Sequence, residues 1–249
     1  MAENKIKQKI LRGRKLLKAS QWGRSLETDQ KLGKPAPQVQ KDYPEKAQLV
    51  DLVPSGEMSI EGDLLSVLQN RRSRRSFSEE SFSREEFSFL IWAVQGLNSS
   101  REYFRTSPSA GARHPFETYV IINKVEGIEQ GLYRYLPLEH KLLPLESNKD
   151  LTDEFAGACL DQEFTRQSAV DFIWTALPYR TEWRYSILSH KVIAIDAGHV
   201  CQNLYLASEA IGGGTCAIGA YSQEKMDNLL GVDGEDEFAV YAAVTGKVK

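Results

Sequence analysis

An α+β fold is what this sequence predicts, and two observations carry that expectation. Segments of helical and of strand periodicity are interspersed, yet never in the strict strand–helix–strand alternation of a doubly wound sheet. The 249 residues, 41% hydrophobic and 26% charged, also suffice to bury a sizeable core within one large domain.

The elements follow in order. In the opening MAENKIKQKILRGRKLLKAS, Ile6, Ile10 and Leu17 recur near helical spacing, which predicts a short basic amphipathic helix. Such a helix can touch a membrane, but packing on a partner subunit is its commoner use. From Gln30 to Gly56, Pro35, Pro37, Pro44 and Pro54 break any sustained periodicity, so the stretch reads as an extended arm. Residues 1–56 thus read as helix and arm, and residues 57–249 as the main domain. That domain opens with a helix near Gly62–Gln69. Ser83 and Glu86 form a capping box ahead of Phe87, Leu90, Ile91 and Val94, a helix ended by Gly96. Strands are expected at Glu117–Asn123, Gly131–Tyr135 and Ala169–Leu177, with a turn at Glu126-Gly127. Asp196 to Ile211 carries Val200, Leu204, Ala207 and Ile211 on one face and ends at Gly212. Strands Thr215–Ala220 and Glu237–Thr245 flank a last helix at about Ser222–Leu230.

Charge and cysteine usage narrow the function classes. With 31 basic and 34 acidic side chains the net charge is −3, so the surface as a whole has no electrostatic reason to seek nucleic acid. Cys159, Cys201 and Cys216 form no CxxC motif, and their odd number argues against a disulfide framework, which points to a reduced cytoplasmic compartment. No apolar run approaches the roughly 20 residues that span a bilayer, and no spacing of metal ligands is found.

Three stretches invite chemistry. Gly212-Gly213-Gly214-Thr215-Cys216-Ala217 fits the letters of a dinucleotide fingerprint, but its glycines end a helix and enter a strand, the reverse of what a pyrophosphate needs. Arg71-Arg72-Ser73-Arg74-Arg75 packs four guanidiniums into five residues, which is either a solvated basic patch or an anion site with Ser73 as an added donor. Pro108-Ser109-Ala110-Gly111-Ala112 is rich in small residues just before a strand; it is either a plain turn or a surface a flat ligand can approach closely.

Taken together, RRSRRSF, PSAGARHPFETYVI, GLYRY, DAGHVCQNLYLASEAI, CAIGAY and VTGK resemble, in that order, the nitroreductase-like flavoproteins and within them the SagB-type branch associated with azoline oxidation. The resemblance runs from about Gly33 to Lys247 and implies a nitroreductase-like fold, a mixed central β-sheet surrounded by helices, with FMN at a homodimer interface. It implies that Arg71, Arg72, Ser73 and Arg75 bind the FMN phosphate and the polar edge of the ring system. Pro108, Ser109, Ala110 and Gly111 would line the flavin from the other subunit. Ile218 and Gly219 would approach flavin N5, and Lys247 would add a phosphate contact. His199 and Asn203 are read as structural. Where thiazole-forming members have a Lys-Tyr pair, this chain has Arg184-Tyr185, and arginine is a poor base. Arg184 and Tyr185 are therefore the catalytic candidates. Three functions compete: an FMN oxidoreductase passing hydride from NAD(P)H to nitroaromatics or quinones, a flavin oxidase of azoline rings in modified peptides, and a non-enzymatic basic interaction protein.

Overall fold

A computed structural model describes residues 2–18, 26–98, 101, 104–147 and 151–249. In chain order it contains α1 (Ala2–Leu17), β1 (Val50–Asp51), α2 (Leu64–Asn70), α3 (Arg84–Gln95), β2 (Phe116–Ile122), β3 (Gly131–Leu136) and β4 (Lys141–Glu146). There follow α4 (Leu151–Ala158), β5 (Val170–Ala176), α5 (Tyr179–Tyr185), α6 (Ser189–Ala210), β6 (Gly213–Ile218), α7 (Gln223–Leu230) and β7 (Phe238–Lys247).

One seven-stranded sheet, in the order β1-β4-β3-β2-β5-β7-β6, divides the molecule. All pairings between these strands are antiparallel, and parallel pairing is confined to isolated bridges such as Ser73–Thr215 and Phe82–Val125. Side chains alternate across a strand, so β2 sends Val120 and Ile122 to one face and Tyr119 and Ile121 to the other. On the first face α3 contributes Phe87, Leu90, Ile91 and Val94, and α6 contributes Ile193, Val200 and Leu204. On the second, α4 brings Leu151 and Phe155, and α7 brings Met226 and Leu230. The result is an α/β/α sandwich with two apolar layers, and α6 lies along the sheet as its longest helix.

Local chemistry explains the ends of these elements. Ser83 Oγ accepts from Glu86 N at 3.1 Å and Glu86 Oε2 accepts from Ser83 N at 2.9 Å, the reciprocal capping box. Gly212 follows α6 with φ of +71°, a turn only glycine makes without strain. Four elements lie outside the sequence expectations, the first being the two-residue β1 within the proline-containing arm. β4 carries Pro144, which weakens a strand signal. α4 is a helix of eight residues with Gly157 inside it. α5 buries Arg180, Thr181 and Trp183 in place of an aliphatic stripe. In addition, α6 begins seven residues earlier than Asp196, at Ser189.

The proline-containing arm is tied down by guanidiniums. Arg105 donates to the Val39 carbonyl at 2.6 Å, and Arg134 donates to the Asp42 carbonyl at 2.7 Å. Glu117 receives both Lys41 N at 2.9 Å and the Arg180 guanidinium at 2.5 Å. Extended backbone lacking a sheet partner thereby finds donors for its carbonyls. This arrangement is why α5 is polar within: its buried arginine serves the arm through Glu117.

Candidate functional site

The arginine cluster leaves α2 and runs beside β6, the last strand of the sheet. Arg74 N donates to the Thr215 carbonyl at 2.9 Å, so the segment covers an edge that would otherwise be open. This docking sorts the guanidiniums. Arg74 turns inward over Gly214 and lies 3.8 Å from Glu209. Arg71 stacks over the Tyr205 ring at 5.4 Å, and Arg75 lies over Phe164 at 5.7 Å. Among the described residues, Arg72 bonds only to the carbonyls of Gln69 and Arg71, both at 2.9 Å. Among the described residues, Arg71, Arg72 and Arg75 have no carboxylate partner, whereas Arg74 has one.

Tyr205, on α6, organises this end. Its hydroxyl accepts from Ala217 N at 2.9 Å and shares a hydrogen bond with Ser73 Oγ at 3.0 Å, while its ring carries Arg71. Sequence reasoning did not single it out, because one tyrosine in an amphipathic helix looks like a core residue. Ile218 closes β6, buried, and Gly219 follows it exposed, with open space where a side chain would stand.

The second cluster gathers around the small-residue loop. Ser109 Oγ donates to Asp196 Oδ2 at 2.7 Å and Ala110 N to the same oxygen at 3.1 Å, so a buried carboxylate of α6 clamps the loop. Burial raises the Asp196 carboxyl above its ordinary range, and the bonds from Ser109 and Ala110 oppose that shift. Asp196 stands one turn before Val200 on the buried face of α6, which turns its carboxylate toward the loop. Pro108 is exposed at the loop's start. Gly111, Ala112 and His114 all have positive φ, of +59°, +51° and +45°. Two of these three are not glycines, and such strain persists only where surroundings over-determine the backbone.

Gly111 is where the catalytic candidates arrive. A Cβ there would stand 2.4 Å from Tyr185 Oη and 2.9 Å from Arg184 Nε, so only a glycine allows both side chains to close on the loop. The structure therefore joins Ser109, Ala110, Gly111, Arg184 and Tyr185 in one place, and Arg71, Arg72, Ser73, Arg75 and Ile218-Gly219 in another. Asp196 and Tyr205, nine residues apart on α6, anchor the two, roughly 13 Å apart along the helix.

Lys247 joins neither group. Its ammonium pairs with Glu86, donates to the Ile211 carbonyl at 3.1 Å and lies over Phe82 at 5.5 Å. Asn203 donates to Ala93 O at 2.8 Å and Ser107 Oγ at 3.1 Å, tying α6 to α3 and the loop, while His199 stands half exposed 3.9 Å from Asp196. No helix among the described residues is long and apolar enough to cross a membrane.

A sheet faced by helices thus carries an arginine segment on its edge strand and a strained small-residue loop held by its longest helix. Comparison with known proteins gives the class. The Nitroreductase family matches residues 68–247, and the chain belongs to that family. A nitroreductase-type protein of Methanocaldococcus jannaschii is 33% identical over 167 residues, covering 67% of this chain and 83% of its own. The trifolitoxin-processing protein of Rhizobium leguminosarum bv. trifolii is 32% identical over 155 residues, covering 59% of this chain and only 41% of its own length. In fold, a nitroreductase-type crystal structure from Ralstonia eutropha superposes with a TM-score of 0.68 at 23% identity, covering 86% of this chain and 99% of the other. The chain is an oxidoreductase of this family with FMN as its cofactor.

Proposed function

We propose that this chain is a homodimeric FMN reductase that takes hydride from NAD(P)H and delivers it to small electron-poor acceptors such as nitroaromatics or quinones. The observation that carries the reading is the set of three guanidiniums, Arg71, Arg72 and Arg75, beside the Ser73 hydroxyl and without a carboxylate partner among the described residues. The donor chemistry fits a phosphate, since planar guanidiniums bind its oxygens in bidentate fashion and Ser73 adds a neutral donor. Ile218-Gly219 offers accessible backbone beside that segment, and Pro108–Gly111 offers a second surface. Lys247, already paired with Glu86, is outside this proposed set.

When bound, FMN supplies a two-electron hydride relay between donor and acceptor. The chain's own residues do the rest. Arg71, Arg72 and Arg75 hold phosphate charge, Asp196 fixes the loop through Ser109 and Ala110, and Tyr185 Oη stands beside Gly111 to pass a proton to a reduced acceptor. Residues 57–249 form the catalytic body in this reading, and residues 1–56 strengthen the dimer. Support for a partner comes from apolar side chains left on the surface: Leu64, Leu65 and Leu68 of α2, with Ile6 and Ile10 of α1, are all more than half exposed. We place the protein in the cytoplasm.

A second reading, dehydrogenation of azoline rings in modified peptides, is favoured by the likeness to the trifolitoxin-processing protein. It lacks a base at Arg184, since a guanidinium is a poor proton acceptor. Flavin titration of Arg71→Ala and Arg75→Ala tests the site. Each loss should weaken FMN binding about tenfold to a hundredfold, the worth of a charge-assisted hydrogen bond. Unchanged affinity in both variants would remove the cluster from the site.

A further inference from the structure

The loop at Gly111 receives two guanidiniums. Arg113 Nε donates to the Gly111 carbonyl at 3.2 Å and its head stacks over Trp183 at 5.1 Å. Arg184 Nε reaches the same residue, 2.9 Å from where its Cβ would stand, with its head 5.7 Å from the Tyr185 ring centre. The carboxylates around them are committed elsewhere. Asp196 holds Ser109 and Ala110, Glu182 lies 3.0 Å from His190, and Glu117 lies 2.5 Å from Arg180. Among the described residues neither Arg113 nor Arg184 forms an ion pair. Two like charges converging on one residue repel each other, and burial together with Arg184 lowers the affinity of Arg113 for its proton. A folded chain keeps such an arrangement where an anion completes it.

We propose that Arg113 and Arg184, with Tyr185 Oη, form an oxyanion-binding subsite that selects substrates carrying a carboxylate or phosphate group. The subsite is distinct from the Arg71–Arg75 segment, because it is anchored at Asp196 rather than at Tyr205. Its chemistry suits a planar anion. Each guanidinium lies over an aromatic ring, which holds its fork in one orientation, and bidentate pairing with a carboxylate rewards that orientation. The strained backbone around it, with positive φ at Gly111, Ala112, His114 and Ser186, fixes the loop and α5 end against each other. Two sources could supply the anion: the acceptor itself, or a phosphate of the nicotinamide donor. Calling the ligand a substrate rests on the oxidoreductase reading above; the anion site itself does not.

Calorimetric titration of the full-length protein, before and after FMN loading, with benzoate and with the uncharged benzamide tests the site directly. Benzoate should bind and benzamide should not. Arg113→Gln and Arg184→Gln should each weaken benzoate about tenfold to a hundredfold, and Arg184→Lys should recover part of the loss. Steady-state rates then separate the sources. A KM advantage of 4-nitrobenzoate over nitrobenzene that vanishes in the glutamine variants assigns the anion to the acceptor. Loss of an NADPH over NADH preference assigns it to the donor. Benzoate binding by a protein that takes up no flavin would sink the flavin reading and leave this subsite standing. Equal binding of benzoate and benzamide, or a fall in FMN content that accounts for every change in the glutamine variants, would overturn the subsite.

Discussion

Removing one oxygen atom, in Tyr205→Phe, separates the roles combined at the arginine end of the site. The ring stays, so Arg71 keeps its stacking partner at 5.4 Å. What disappears is the acceptor for Ala217 N at 2.9 Å and the partner of Ser73 Oγ at 3.0 Å. Both Tyr205 and Ala217 are half-buried, so water can partly replace the lost bonds and the cost falls toward the lower end, about 1 kcal/mol for the Ala217 amide. Freeing Ser73 costs FMN a positioned donor worth about 0.5–1 kcal/mol more. Together these weaken FMN about 10- to 30-fold. Riboflavin, which has no phosphate, should lose much less than FMN. Fluorescence quenching with both ligands, alongside urea unfolding of the flavin-free protein, makes the measurement. If FMN and riboflavin weaken equally, or only stability falls, Ser73 and Tyr205 do not serve the phosphate.

Other outcomes follow from the same geometry. Tyr185→Phe should slow turnover about 10- to 100-fold, a modest general-acid effect, with flavin content and visible spectrum unchanged; normal rates would make Tyr185 a packing residue. Asp171, fully buried between Ser168 and Asn123, has its carboxyl raised by burial to about 7. A raised folded-state value stabilises fully below the unfolded value near 4 and is lost as pH climbs through 7. Urea unfolding between pH 4 and 8 should therefore show a component falling by up to roughly 1.4 kcal/mol per pH unit that Asp171→Asn abolishes; identical slopes would contradict it. Deleting residues 1–30 should lower the dimer fraction in light scattering and the bound FMN with it, and a monomer retaining full FMN would refute a shared site.

What was legible in the sequence is what repeats. The capping box at Ser83 and the apolar spacing of Phe87, Leu90, Ile91 and Val94 specify α3, because burial of one helical face leaves a periodic trace. The glycines at 212–214 read correctly as a helix end leading to a strand for the same local reason. α5 left no such trace, since it buries Arg180 against Glu117 and serves the arm instead of an apolar layer. Of the site, the arginine segment and the small-residue loop were visible as composition. Their keystones were not. Tyr205 and Asp196 act through hydrogen bonds to residues 132 and 87 positions away, and such pairings are set by the fold alone. Arg113 was likewise visible only as part of the loop, with nothing in its spacing to place it opposite Arg184.

The most direct measurement of the central claim is the visible spectrum of the purified, FMN-reconstituted protein during anaerobic addition of NADPH or NADH. The account predicts a protein-bound flavin band that bleaches on addition of at least one donor and returns when a nitroaromatic or quinone is admitted. A protein that retains no flavin after reconstitution, or one whose bound flavin neither donor reduces, would contradict it.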